Sequence, residues 1–211
     1  MANLQGWEDV IRDSIGDSYK PILGYLPDDG VFYDIGANVG AFTDRILSVK
    51  PNAYCVLFEP LKEFYDYMVT KYEGNPNIKI YNVALVESDR DLQMSACGNN
   101  LGWNTISEIQ VYGTQHTVKG TTLSNIVEFE NIRLPDVIKI DVELSEHLVI
   151  EGAKDLIQKH TPKALHIEIG ILPTNTLWEK EEAMIQYLFS LGYKEYDYKI
   201  YTGTYDALFA K

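Results

Sequence analysis

Three observations predict an α/β domain with a mainly parallel sheet. Short runs rich in β-branched, aliphatic and aromatic residues alternate with segments of helical periodicity. The first of these runs ends in an acidic residue and a glycine-bearing turn that opens a helix. The length, 211 residues, fits one full-sized domain, and no internal repeat or low-complexity linker divides it.

Along the chain, residues 7–15 set Trp7, Val10, Ile11 and Ile15 on one helical face. This predicts an N-terminal helical cap within residues 1–30, packed on a domain formed by 31–211. A first strand, Val31 to Ile35, leads through the turn into a helix that ends near Val49 before Pro51. A second strand, Tyr54 to Phe58, precedes a helix carrying Leu61, Phe64, Tyr65, Met68, Val69 and Tyr72, and a third strand covers Ile78 to Tyr81. The pattern then changes. Alternating segments at 91–96, 105–112 and 115–119 surround turn-rich CGNNLGWN and a Tyr112-Gly113-Thr114 corner, predicting an inserted β-hairpin region near 91–120. Thr122 is placed to cap a helix through Phe129. A fourth strand, Val137 to Asp141, leads to a helix from about Ser145 to Lys159. After a fifth strand, Ala164 to Ile169, Thr176 and Glu179 have capping-box spacing for a helix through Leu191. The last twenty residues or so read as a strand pair with Tyr196, Tyr198 and Ile200 on one face.

Composition limits the partners. With 31 acidic and 18 basic residues the net charge is -13, and no basic patch offsets it, so no nucleic-acid partner is expected. No apolar run of about 18 residues occurs, so no membrane span is expected. The N-terminal segment MANLQGWEDVIRDSIGD has neither the basic start nor the apolar block of a signal peptide, and the expected location is cytoplasmic. Cys55 and Cys97 are too few for a disulfide framework, and Cys55, inside an apolar run, reads as a reduced core thiol.

The sharpest motif is Val31-Phe32-Tyr33-Asp34-Ile35-Gly36-Ala37-Asn38-Val39-Gly40-Ala41-Phe42. Gly36 permits a tight turn or close backbone approach, Asn38 tolerates positive φ, and Gly40 allows a close-packed helix start. A dinucleotide fingerprint would read G-x-G-x-x-G; the spacing here is Gly36-x-x-x-Gly40, and an acid at the strand end suits a cationic ligand better than a pyrophosphate. The second strand ends at Glu59-Pro60, where an acid accepts hydrogen bonds from ribose hydroxyls in nucleotide-binding α/β folds. Asn82-Val83-Ala84-Leu85 closes the third strand, offering a polar turn to an adenine edge.

With these motifs assembled, the chain resembles the FkbM family of S-adenosylmethionine-dependent methyltransferases, within the class I Rossmann-like methyltransferase fold. The resemblance runs from about Val31 to Ile169. It is carried by VFYDIGANVGAFT, FEP, NVAL, TTLSNI, IKIDVE followed by Glu146, Val149-Ile150-Glu151-Gly152-Ala153, and HIEIG. It implies a mainly parallel sheet of about seven strands with helices on both faces. It also implies S-adenosylmethionine as cofactor, with S-adenosylhomocysteine as product. Asp34, Gly36, Ala37, Asn38, Gly40 and Phe42 would shape the methionine end, Glu59 and Pro60 the ribose site, and Asn82, Val83 and Ala84 the adenine site. Asp141 would lie beside the sulfonium and the acceptor. Where the family pattern has a glycine after KIDVE, this chain has Leu144, which bears on the size of the acceptor pocket.

The strand ends carry their own chemistry. Asp141 and Glu143 are two residues apart, as are His166 and Glu168, so each pair points one way from an extended backbone. Removal of a proton from an acceptor hydroxyl falls to Asp141, Glu143 or Glu168, with His166 as base or orienter. Glu143 and Glu146 also read as stabilisers of the following helix N-terminus. A metal site from Asp141, Glu143 and His166 lacks a distinctive ligand spacing, and no metal is assigned. His147 reads as solvent-facing and His116 as part of an alternating strand. Trp103 and Trp178 read either as acceptor-site walls or as packing. No Asn/Asp-Pro-Pro-Tyr element follows strand four and neither cysteine follows proline, which disfavours methylation of base amino groups or cytosine C5. The resulting expectation is O-methylation of a hydroxyl on a small-molecule or glycan acceptor: a sugar, glycan, glycolipid or secondary metabolite. N-methylation of a small amine, a non-catalytic cofactor-binding scaffold and a nicotinamide-binding domain remain as alternatives.

Overall fold

Val31–Ile35 (β1) alternates its side chains between two apolar layers, and all five residues are buried in the computed structural model. Val31, Tyr33 and Ile35 face one layer, and Phe32 faces the other. Burial on both faces marks β1 as a central parallel strand. The structure describes residues 4–96, 104–106, 113–170, 175–200 and 204–211. Cys97, Trp103 and the 107–112 part of the expected hairpin region lie outside them.

β1 pairs in parallel with β2 (Tyr54–Phe58) on one side and β8 (Val137–Ile140) on the other. β3 (Ile78–Tyr81) extends the sheet beyond β2, and β9 (Ala164–Gly170) extends it beyond β8. β11 (Thr204–Ala210) runs antiparallel to β9, and β10 (Lys194–Ile200) closes that edge. The seven-stranded order is β10-β11-β9-β8-β1-β2-β3. The chain therefore leaves β1 in one direction and later returns to its other side. The crevice beyond the carboxyl ends of β1 and β8 is the switch point where such sheets bind ligands.

One face is covered by α4 (Leu123–Phe129), α5 (Glu146–Lys159) and α6 (Asn175–Ser190), through Leu123, Ile126, Val149, Ile150, Ile157 and Leu188. The other is covered by a 3-10 turn at Lys20–Gly24, α2 (Ala41–Val49) and α3 (Lys62–Lys71), through Ile22, Phe42, Ile46 and Met68. A second sheet, in the order β4-β7-β5-β6, is built from Ala84–Leu85 (β4), Arg90–Ala96 (β5), Asn104–Ile106 (β6) and Thr114–Thr121 (β7). It packs through Leu92, Met94, Ile106 and Val118 against Val39 and Leu61 beside the β1 and β2 turns. The expected insertion is thus a sheet of its own.

Several local expectations change. The N-terminal helix, α1 (Leu4–Ile15), packs through Leu4, Trp7, Ile11 and Ile15, while Val10 is 56% exposed. The three- and four-residue spacing leaves Val10 at the edge of the face. Val69 of α3 is likewise exposed. Ala84 and Leu85 do not close the third strand; they pair with Gly120 and Thr121 as part of the second sheet. Thr122 caps α4, accepting the Asn125 N–H at 3.0 Å, as its sequence position predicts. Thr176, expected at the cap, falls within α6, which already includes Asn175; its side chain lies outside the described residues. The pairing of β10 with β11 shifts register between Asp197 and Lys199, a β-bulge, and the side chains of Tyr198 and Ile200, expected on one face with Tyr196, lie outside the described residues.

Gly152 of α5 lies close against the residues that follow β4 and β7. A Cβ there would overlap the Val86 carbonyl oxygen and stand 3.3 Å from the Thr122 Cβ. Alanine is the better helix former by about 1 kcal/mol, so the two effects have opposite signs. Gly152→Ala is expected to destabilise by about 1–3 kcal/mol in urea unfolding; equal or greater stability would show that this contact does not constrain the fold.

Candidate active site

Gly36 follows β1 with φ +77°, and a Cβ there would overlap the Asp141 carbonyl oxygen. Only glycine lets this turn lie so close to the end of β8. The Gly36 and Ala37 N–H groups donate to the Phe58 carbonyl at 3.0 and 3.2 Å, tying the turn to β2. Asn38 has φ +52°; its N–H donates to Glu59 Oε2 at 2.9 Å, and its Oδ1 accepts from Trp7 Nε1 at 3.3 Å. Gly40, the N-cap of α2, has φ +77° and makes room for Tyr72, whose hydroxyl lies 2.8 Å from the Gly40 carbonyl oxygen.

Beneath the turn runs a buried polar row. Asp34, Lys139 and His166 are successive register partners on β1, β8 and β9. Asp34 is fully buried, and its Oδ2 accepts the Thr43 hydroxyl at 2.7 Å. Lys139 is 4% exposed. Its ammonium lies 3.3 Å from Asp34 Oδ1 and 3.3 Å from Asp141 Oδ2, and it donates to the Gly36 carbonyl at 2.8 Å. Burial opposes the charge, but Asp141 and Asp34 outweigh it, so the lysine pKa is raised. His166 lies against Phe42, with ring centroids 5.3 Å apart. Burial and the Lys139 charge push it down to about 4.

Glu59 is 5% exposed and accepts the Asn38 N–H with one oxygen and the Leu61 N–H with the other, each at 2.9 Å. Burial pushes its carboxyl up to about 7, against the lowering effect of those two bonds and of Lys139. The Asn82 amide donates to the Glu59 and Pro60 carbonyl oxygens, each at 2.9 Å. Asn82 therefore braces the β2 turn.

An open cleft sits at these strand ends. Gly36, Asn38, Glu59, Pro60, Val83, Ala84, Asp141 and Glu143 line it among the expected residues. Ile35, Phe58 and Leu85 add apolar walls, and the second sheet contributes Met94, Asn104 and Ile106. Asp34, Ala37, Gly40, Phe42 and Asn82 do not line it; they support the turns that do. His166 is also outside it. Glu168 joins Asp141 and Glu143 in a cluster in which one carboxylate oxygen of each lies within 4.8 Å of the others. Burial, then the charge of Asp141, raises the carboxyl pKa of both Glu143 and Glu168.

The turn carrying Glu143 is strained. Glu143 (φ +55°) and Leu144 (φ +73°) are both left-handed, and the Glu143 carbonyl accepts the Thr105 hydroxyl at 2.7 Å. Leu144 does not line the cleft; its Cδ2 would stand 2.5 Å from a Cβ on Gly170. The leucine in the family's glycine position thus packs over the end of β9. Glu146 is fully buried in the first turn of α5, where its Oε1 accepts the Val142 N–H at 2.9 Å. His147 does not face solvent: its Nδ1 lies 3.2 Å from Oε1 of fully buried Glu181 on α6. His116 and Trp178 are exposed.

Sequence reasoning missed Lys139 as a site residue. The signal was a lysine inside the apolar run Val137-Ile138-Lys139-Ile140, in register with Asp34. It also missed the walls Met94, Asn104 and Ile106, which only the second sheet brings to the cleft. Removing one partner of a buried pair leaves the other charge uncompensated, so Lys139→Met is expected to cost about 3–5 kcal/mol in urea unfolding. Asp34→Asn combined with Lys139→Met is expected to recover part of that loss. A single variant as stable as the parent would contradict the role given to this lysine.

Comparison with known proteins agrees with the geometry. The family model described as "Methyltransferase FkbM domain" matches residues 34–198. The hexuronic acid methyltransferase AglP of Haloferax volcanii is 25% identical over 186 residues, covering 88% of this chain and 72% of that protein. An rRNA methylase from Streptococcus thermophilus superposes with a TM-score of 0.56 at 11% identity, covering 93% of this chain and 95% of that one. Aeropyrum pernix fibrillarin, solved with natively bound S-adenosyl-L-methionine, gives 0.53 at 10% identity, covering 88% and 68%. These two structures share the fold. The family match spans most of the chain and includes both the glycine turn and the carboxylate-bearing strand ends: the protein belongs to the FkbM methyltransferases and is an S-adenosylmethionine-dependent enzyme.

Proposed function

We propose that this enzyme methylates a hydroxyl of a sugar or sugar-containing acceptor at the carboxyl ends of β8 and β9. The observation that carries the reading is the Asp141–Glu143–Glu168 cluster, set at the switch point with Asp141 and Glu143 in the cleft wall. AglP, which is named as acting on hexuronic acid, supports the choice of a sugar.

The cleft's donors and acceptors fit the cofactor. Each Glu59 oxygen accepts one backbone N–H and retains a lone pair for a ribose hydroxyl. Ile35, Phe58, Val83, Leu85, Met94 and Ile106 form apolar surface suited to an adenine ring. Asp141, with its side chain 40% exposed, offers a carboxylate to the cationic end. When bound, the cofactor supplies a methyl group activated by positive sulfur. The chain's own residues then hold the acceptor oxygen in line and take its proton. Glu143 is placed for that proton: it lines the cleft, and burial with neighbouring negative charge increases its proton affinity. Asp34 and Lys139 act indirectly, by fixing the Gly36 turn and the Asp141 carboxylate.

Two measurements test this. Calorimetry should show S-adenosylhomocysteine binding to the parent and, within about threefold, to Glu143→Gln. Methyl transfer to sugar hydroxyls by that variant should fall by at least about 100-fold; undiminished turnover would remove Glu143 from the chemistry. Glu59 gives a pH signature. Its ionised form is the better acceptor for ribose hydroxyls, so S-adenosylhomocysteine affinity should fall by up to about tenfold from pH 8 to pH 6, and Glu59→Gln should flatten that dependence. The stability sign is opposite. Because the folded carboxyl holds its proton up to about 7, against 4.5 ordinarily, its contribution is present below 4.5 and lost as pH rises through 7. A pH-independent affinity in the parent would contradict ribose binding by Glu59.

A further inference from the structure

α1 is attached to the molecule by more than its apolar face. Leu4, Trp7, Ile11 and Ile15 pack on a cluster that includes Val39, Leu61 and Phe64, beside the β1 and β2 turns. Trp7 and its neighbour Glu8 also make polar contacts toward the glycine turn. The Trp7 Nε1–H donates to Asn38 Oδ1 at 3.3 Å, and the Asn38 N–H donates to Glu59 Oε2 at 2.9 Å. Glu8 is 5% exposed and lies 3.3 Å from the Lys71 ammonium of α3. Lys71 in turn donates to the Val39 carbonyl at 3.0 Å and to Asp44 at 2.5 Å. Tyr67 and Arg12 donate to the Glu8 carboxylate at 2.5 and 2.7 Å. Burial acts to raise the Glu8 carboxyl pKa, but Tyr67, Lys71 and Arg12 outweigh it and keep the group ionised.

We infer that α1 is a strap on the cofactor site, in which Trp7 is a positioning residue that acts through Asn38 on Glu59. Glu8, through Lys71, holds the next residue of the same turn. Trp7 does not line the cleft, whereas Asn38 and Glu59 do. Asn38 is the point in the turn where outside support counts. Its φ is +52°, a left-handed conformation that a non-glycine residue keeps when its surroundings fix it. The indole bond fixes its side chain, and with it the direction of the N–H that meets Glu59. Gly36 and Ala37, at the other end of the turn, are tied to the Phe58 carbonyl and are held without α1. The strap therefore acts on the ribose end of the site. Linkage makes the effect reciprocal: the factor by which the seated helix raises cofactor affinity is the factor by which cofactor favours seating of the helix. This role rests on the placement of the ribose at Glu59 given above.

Calorimetry with S-adenosylhomocysteine on the parent, Trp7→Phe, Asn38→Gly and the double variant tests it. Phenylalanine keeps an aromatic ring on the apolar cluster and removes the N–H donor. Glycine keeps the positive φ and removes the acceptor. Affinity is expected to fall about three- to tenfold in Trp7→Phe, and the double variant is expected to bind as Asn38→Gly does. Parent-like affinity in Trp7→Phe, or losses that multiply in the double variant, would overturn the inference.

A spectroscopic readout keeps the test decisive if a variant does not fold. The chain has three tryptophans, and the indole N–H signal of Trp7 in the parent, assigned through backbone connectivities, is expected to shift on saturation with S-adenosylhomocysteine and to exchange more slowly with solvent. An unmoved signal would overturn the strap. Failure of the ribose site looks different. A parent that binds no S-adenosylhomocysteine, or binds it with pH-independent affinity, removes the ribose site and the strap with it. A parent that binds as expected beside an indifferent Trp7→Phe removes only the strap.

Discussion

One buried ammonium ties together the strand ends that frame the cleft. Lys139 stands in the middle of the sheet, bonded to Asp34 of β1, the Gly36 carbonyl of the turn and Asp141 just beyond β8. Those are the three elements that meet at the switch point. An unpaired Lys139 or Asp34 at this depth would cost several kcal/mol, so the chain keeps both, and the geometry of the turn follows. Gly36 must be glycine because the turn is drawn against Asp141, and Thr43 completes Asp34 from α2. The polar row stabilises the site it does not itself line.

Around that anchor the cleft is assembled from two different sheets. The parallel sheet supplies the polar ends, Glu59 from β2 and the carboxylates beyond β8 and on β9. The second sheet supplies an apolar wall through Met94 and Ile106, and through Thr105 it holds the left-handed Glu143–Leu144 turn. Strain in that turn is stored where Glu143 enters the cluster, a place where the fold gains a positioned carboxylate for the energy it gives up. Of the 31 acids of the chain, Asp141, Glu143 and Glu168 are therefore gathered at one end of the cleft.

The parallel strands, most of the helices and the order of the site motifs were legible because each rests on local pattern: alternation in β1, the Thr122 cap, the spacing of the glycine turn. Side-chain roles were less legible, since they depend on register across strands. Asp34 reads as a ligand group until its pairing with Lys139 is seen. His166 and Glu168 share a face and a spacing, yet one sits two residues deeper beneath Phe42 while the other reaches the strand end. Val10 and His147 depart from the sequence expectation for a related reason. Helical periodicity locates a face, but only the packed partner, here the second sheet or Glu181 on α6, says where that face ends. Asn82 shows the same limit, its amide being spent on the backbone of the neighbouring turn.

We propose that the cleft between the β1, β2 and β8 ends holds the cofactor with its ribose on Glu59 and its sulfur beside Asp141. A crystal structure with S-adenosylhomocysteine measures this directly. The expected result is ribose hydroxyls within hydrogen-bond distance of both Glu59 oxygens, adenine between Phe58 and the Met94–Ile106 wall, and sulfur directed toward Asp141 and Glu143. Ligand density elsewhere on the molecule, or ribose held by groups other than Glu59, would contradict it.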